Sequence, residues 1–264
     1  MVESAFNTKI EGAVNKKVQL FDDSKGQYAL RSIYAGMFLA MGTAAGAYAS
    51  DIVNELLPGL GGIFNAFIFA FGLVFILFLG GELATSNMMY LSAGVYQGKI
   101  KMSKAIQILL FCTLFNLIGA YLIGFLFAQS GAFADLTLDS AIVGTVEKKL
   151  AKGSLQIFNE AILANIFVNV AILLFMLVKD ETARIFLVLA PIFMFVLLGY
   201  DHLIANFCSF AIVQFSNFSG EIGFTLLNVI RQWGITFLGN LVGGGVVMGI
   251  GYAWLNKTKT VYVD

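Results

Sequence analysis

Charged side chains are scarce in this chain: 12% of 264 residues, against 59% hydrophobic. A water-soluble domain carries about 25% charge, so a solvated globular surface is excluded. Sixteen basic and sixteen acidic residues cancel, which removes any electrostatic case for a nucleic-acid partner. There is one histidine and there are two cysteines. Cys112 and Cys208 both lie in apolar runs and read as small buried hydrophobes. That inventory has no metal-ligand spacing, so no metal is expected. A phosphate-binding glycine loop and a nucleophile constellation are also missing; no cofactor is expected, and the chain does not read as an enzyme. Residues 1–27 hold no apolar run, so the first hydrophobic helix is expected to act as the targeting signal. What is abundant is glycine (28) and phenylalanine (26), with only two prolines, a mixture ordinary where helices pack in lipid.

Six apolar runs are long enough for a bilayer core, which needs about 20 helical residues. They are Ala29–Ala49, Ile63–Leu91, Ala105–Ala128, Phe158–Val178, Ile185–Phe215 and Trp233–Leu255. The chain therefore divides into a tail (1–28), an all-α transmembrane domain (29–255) and a second tail (256–264). The tail around Ala13, Val14 and Val18 has helical spacing, which fits either an amphipathic surface helix or a plain polar tail. Twelve of the sixteen basic residues, Lys257 and Lys259 among them, fall on the side of the two termini. The positive-inside rule puts both termini in the cytoplasm of a cell with an inner or plasma membrane. Lys148, Lys149 and Lys152 crowd the opposite side, either as a solvated loop or as a vestibule that draws anions.

The chain is written twice. Gly80-Gly81-Glu82-Leu83-Ala84-Thr85-Ser86-Asn87 in the second run matches Gly199-Tyr200-Asp201-His202-Leu203-Ile204-Ala205-Asn206 in the fifth. Leu114–Ala120 in the third matches Leu238–Gly244 in the sixth, and the first and fourth match more faintly. With three spans per half, residues 29–128 and 158–255 form an inverted repeat, whose site lies near the bilayer midplane. Glycines and a carboxylate are poor choices inside a lipid-facing helix. Each long run is therefore expected to break into two half-helices at these motifs. Glu82 and Asp201 read as caps on the freed backbone N–H groups. Asn87 and Asn206 belong to the same breaks. His202 lies in the second break; its repeat partner is Leu83, near Thr85, so the two breaks are expected to face one another, and a midplane imidazole suits a small weak-acid anion. Gly42-x-x-x-Gly46 and Gly243–Gly245 with Gly249 read as close-packing faces.

With these motifs assembled, the chain resembles the formate/nitrite transporter family, whose members include formate, nitrite and hydrosulfide channels. The resemblance rests on Gly81–Ser86, Ile162–Asn165, Gly199–Asn206 and Gly239–Gly244, and it is greatest to the hydrosulfide type. It implies an aquaporin-like protomer with its own pore, assembled in lipid as a homopentamer. It places an outer constriction at Phe69, Leu83 and Phe195, and an inner one at Leu73, Ala84 and Val168. The central pair is Thr85 and His202, an inner asparagine is Asn165, and the vestibule lysine is Lys149, with Lys148 one residue off that register. Formate channels carry phenylalanine where this chain has Ala84, so the inner slit is expected to be wider or differently gated. The expected function is selective passage of hydrosulfide, formate or nitrite. In that reading Lys149 concentrates the anion, Thr85 holds it, and His202 supplies a proton directly or through water, or stabilises the anion as a cation. The alternative is an aquaporin-like channel for small neutral solutes, against which the clustered lysines argue.

Overall fold

The computed structural model describes residues 4–218 and 220–257. The expected second tail lies almost wholly outside the described residues, Lys259 included. Among the described residues the chain is helical, without strands. The helices are α1 (Ala5–Asp23), α2 (Lys25–Leu56), α3 (Gly61–Phe78), α4 (Ala84–Tyr96), α5 (Met102–Ala128), α6 (Ala141–Ala151), α7 (Ser154–Leu177), α8 (Glu181–Leu197), α9 (Leu203–Phe215) and α10 (Leu226–Leu255), the last widened to π geometry over Leu241–Ile250. Helices α3, α5, α7 and α10 are each long and apolar enough to cross a membrane. The second and fifth apolar runs each divide in two, as α3–α4 and α8–α9.

The halves interlock. Within each half the first helix packs on the second and on the last: α2 on α3 and α5, α7 on α8 and α10. The short helix after each break crosses to the other half, α4 packing on α10 and α9 on α5. Close approach at equivalent points enforces this. A Cβ on Gly119 would stand 2.0 Å from the Ile33 carbonyl oxygen, and one on Gly243 would stand 2.1 Å from that of Ile162. Only glycine lets the backbones meet there.

The N-terminal tail departs from both expectations. It is a helix, capped by Ser4 accepting from the Asn7 N–H. Its apolar face (Phe6, Ile10, Val14, Phe21) is buried in the main core rather than laid on lipid. The i, i+4, i+8 spacing of Phe6, Ile10 and Val14 forms one stripe. Lys17 continues along that buried face, its side chain only 10% exposed.

Candidate functional site

Both breaks begin the same way. Gly80 (φ +68°) and Gly199 (φ +69°) turn the chain out of α3 and α8 in the left-handed region, which side chains with a Cβ avoid. Behind each turn stands an asparagine from the last helix of the same half. Asn116 Oδ1 accepts from the Ala84 N–H (2.8 Å), while its Nδ2 donates to the carbonyls of Ser32 (2.7 Å) and Glu82 (2.8 Å). Asn240 Oδ1 accepts from the Leu203 N–H (2.9 Å), and its Nδ2 donates to the carbonyls of Ala161 (2.7 Å) and Asp201 (3.0 Å). A buried break must satisfy its backbone polar groups, and one amide does so in each half.

With the asparagines in place, the carboxylates are not the backbone caps expected of them. Glu82 Oε2 accepts from Lys17 Nζ (2.6 Å), the Tyr28 hydroxyl (3.1 Å) and Asn87 Nδ2 (3.2 Å). Asp201, fully buried, accepts at Oδ1 from Lys149 Nζ (2.9 Å), Gln232 Nε2 (2.8 Å) and Asn206 Nδ2 (3.1 Å), and at Oδ2 from Lys152 Nζ (2.8 Å). A charge at that depth needs a partner, and each carboxylate has a lysine. Lys149 is therefore not a free cation in open water. Burial pulls its ammonium below the ordinary lysine range, against the opposing pull of Asp201. Lys148, its neighbour, is exposed.

His202 ends the second break and caps α9: its Nδ1 accepts from the Ala205 N–H at 3.2 Å. In the neutral ring an accepting Nδ1 leaves the proton on Nε2. Nε2 lies 2.7 Å from Thr85 Oγ1 in the first turn of α4, so the imidazole donates and the hydroxyl accepts. The Thr85 hydrogen then has no acceptor among the described residues. A second proton on Nδ1 would set two donors against each other at Ala205, so the cationic ring forfeits the cap. His202 and Thr85 are 117 residues apart, and both are buried.

Two cavities lie nearby; the smaller touches His202, and Thr85 lines neither. A recess of about 110 Å³ is lined by Lys149, Thr145, Tyr200, Asn206, Phe69 and Phe195, with other residues of α2, α3, α6 and α9. A second void of about 10 Å³, room for roughly one water, touches His202, Leu83, Leu73, Val168, Phe69 and Phe195. Phe69 and Phe195 line both and so form the partition between them, their rings edge to face with centroids 6.0 Å apart. Ala84 is buried and does not line the void. Asn165 is fully buried as well, and its Nδ2 donates to the carbonyls of Thr85 (3.2 Å) and Asn240 (2.7 Å). It thus holds the turn that carries Thr85.

Sequence reasoning missed Lys17, Tyr28, Gln232 and the two clamping asparagines as members of the site, and it grouped Lys152 with the vestibule lysines without its tie to Asp201. Asn116 and Asn240 did carry a signal, an amide at matching positions in two apolar runs. Tyr28 and Gln232 carried none.

Paired interruptions around a buried polar pair, in helices apolar enough to cross a bilayer, define a multi-pass membrane protein. The family profile described as Formate/nitrite transporter matches residues 4–254. The chain belongs to the formate/nitrite transporter family. It is 32% identical to "Uncharacterized transporter YwcJ" of Bacillus subtilis over 254 residues, covering 95% of this chain and 97% of the relative. It is 30% identical to "Nitrite transporter NirC" of Escherichia coli, covering 88% and 82% respectively. It is 27% identical to "Formate channel BtFdhC" of Bacillus thuringiensis, covering 82% of each. The fold matches a solved "FNT family ion channel" with TM-score 0.87 and 24% identity over 94% of this chain and 97% of that one. It also matches a "Pentameric formate channel with formate bound" with TM-score 0.72 and 23% identity, over 87% and 96%.

Proposed function

We propose that each protomer passes a small monovalent weak-acid anion, with formate and nitrite the first to test and hydrosulfide the third. Lys149 and Lys152 stand on the outer side, both termini in the cytoplasm, and the assembly is a homopentamer. The observation that carries this reading is the buried Thr85–His202 pair, whose imidazole borders a small apolar void closed off by Phe69 and Phe195. A bare anion crosses such rings only at a desolvation cost of several kcal/mol, roughly; the neutral acid crosses far more easily. The Thr85 hydroxyl, its oxygen already accepting from Nε2, lines neither cavity and becomes the donor for an arriving anion once the surrounding apolar side chains part.

The neutral imidazole holds a single N–H proton, engaged with Thr85. Surrendering it would leave an imidazolate, so the proton that neutralises the anion comes from water: the anion and a hydronium ion give the acid and water. His202 and Thr85 orient that exchange. Leu73, Leu83 and Val168 bound the void, and Asn165 keeps Thr85 in register. In this reading Ala84 contributes through its backbone, bound to Asn116, rather than as a wide inner slit.

Formate uptake into proteoliposomes, with internal pH recorded at the same time, tests the reading. Uptake should acidify the lumen in proportion to formate delivered; net flux at constant internal pH would overturn co-passage of the proton. His202→Phe should lower flux about tenfold, through loss of the neutral hydrogen bond that orients the Thr85 hydroxyl, about 1.4 kcal/mol. Full flux in that variant would remove the imidazole from the mechanism. Osmotic swelling with glycerol but no anion flux would instead favour the neutral-solute channel.

A further inference from the structure

The two breaks differ at one pair of equivalent positions. Asn116 donates to the Ser32 carbonyl where Asn240 donates to that of Ala161, so the residues just before them, Arg31 and Glu160, correspond. Arg31 Nη1 donates directly to the Gly80 carbonyl at 2.8 Å. At the equivalent Gly199 carbonyl the donor is Lys152 Nζ, at 2.9 Å, and Lys152 is held in turn by Glu160. The second half has replaced a cation by an anion and recruited a lysine from the α6–α7 connection.

That lysine creates a surplus. Asp201 is a single negative charge binding two lysines, Lys149 at one oxygen and Lys152 at the other. Glu160 is the further carboxylate within ion-pair distance of this cluster among the described residues. Its side chain is 19% exposed, whereas Asp201 is 0% exposed. Gln156 steadies its other oxygen at 2.8 Å. Arg231 of α10 lies alongside, donating to the carbonyls of Leu150 and Lys152, and has no carboxylate within 4 Å among the described residues. With Glu160 charged, the four-membered cluster of Lys149, Lys152, Asp201 and Glu160 is neutral.

We propose that Glu160 is a positioning residue that sets the electrostatic potential of the Lys149-lined recess by cancelling the lysine that Asp201 cannot. Removing its charge releases one positive charge at the recess and makes it more attractive to anions. Removing Lys152 does the opposite. This rests on the reading of the recess as an anion entry, but its test does not need a transported substrate.

Thr145 lines the recess, and the native thiols Cys112 and Cys208 are buried. In a Thr145→Cys background, the reaction rates of an anionic and a cationic methanethiosulfonate reagent report the local potential. Adding Glu160→Gln should raise the anionic-to-cationic rate ratio about fivefold, the effect of one unit charge at roughly 10 Å in a nearly water-like dielectric (about 70), felt with opposite sign by the two reagents. Molar salt should erase most of the gain, since the screening length there is about 3 Å. Lys152→Gln should lower the ratio, and Glu160→Gln with Lys152→Gln together should return it to within about twofold of the parent, the charge change being cancelled. An unchanged ratio in Glu160→Gln, or both single variants moving the ratio the same way, would overturn the proposal, since local distortion does not follow the sign of a charge. Formate flux by the same variants is read separately. Correct ratios without wild-type flux would refute the transport reading and leave Glu160 its role.

Discussion

At the first break one carboxylate, Glu82, meets one lysine, Lys17, which arrives from the N-terminal helix. At the second, Asp201 meets two, both from the segment joining the halves. Behind both breaks stands the same device: a glycine turn and an asparagine clamping the next helix. The difference teaches which parts of an interrupted helix are dictated by the backbone and which are open to change. Unpaired backbone groups at mid-bilayer have few solutions, so the clamp recurs. Neutralising a buried carboxylate has many, so its partners differ. The proposed chemistry sits where the repeats differ: His202 occupies the position of Leu83, and Thr85 that of Ile204.

This comparison can be broken at its charges first. Asp201→Asn leaves Lys149 beside a neutral amide, with Glu160 still holding Lys152, and should cost about 3–5 kcal/mol of unfolding free energy, as when one member of a buried ion pair is removed. Glu82→Gln should cost less, because Lys17 keeps the face of the Tyr90 ring, 4.9 Å from its centroid. Denaturant titration of the purified protein measures both; an equal or larger loss for Glu82→Gln would mean that the Tyr90 ring does not compensate Lys17.

The clamps come next. Asn116→Ala and Asn240→Ala each remove three bonds to buried backbone and should cost about 2–4 kcal/mol. The two losses should agree closely, since the contacts correspond one for one; a loss at one site alone would refute the pairing of the clamps. The smallest effect is at the turns. Gly199→Ala meets no atom within 4 Å and carries only its positive φ, about 1–2 kcal/mol. Gly80→Ala should cost slightly more, since its Cβ would lie 2.8 Å from Arg31 Nη1. Thermal unfolding of the two variants side by side checks the order.

Much of this was legible before any coordinates. The apolar runs predicted helices, and the matching motifs at 80–87 and 199–206 predicted where two of them stop. The helices resume sooner than the motifs end, at Ala84 and Leu203. Glu82 and Asp201 were read as caps because a carboxylate at a helix start ordinarily accepts backbone N–H groups. That reading failed because Asn116 and Asn240 already satisfy those groups, and His202 takes another. Lys17, and the partner of Lys152, were hidden for a different reason. A lysine's long stem lets its ammonium reach far from its own backbone, so its position in sequence says little about where its charge lands. The tail's apolar stripe of Phe6, Ile10 and Val14 marks the face that turns inward, but not what it packs on.

By itself the amino-acid order determined that this chain is helical, apolar enough for lipid, doubled, and interrupted at two equivalent places. Those properties are local, set by side-chain polarity, spacing and the backbone freedom of glycine. Only the tertiary structure decided that Nε2 of His202 meets the hydroxyl of Thr85, and which lysine neutralises which acid. Such pairings join residues far apart in the chain, and they are fixed by the close crossing of glycine-bearing helices rather than by any neighbour in sequence.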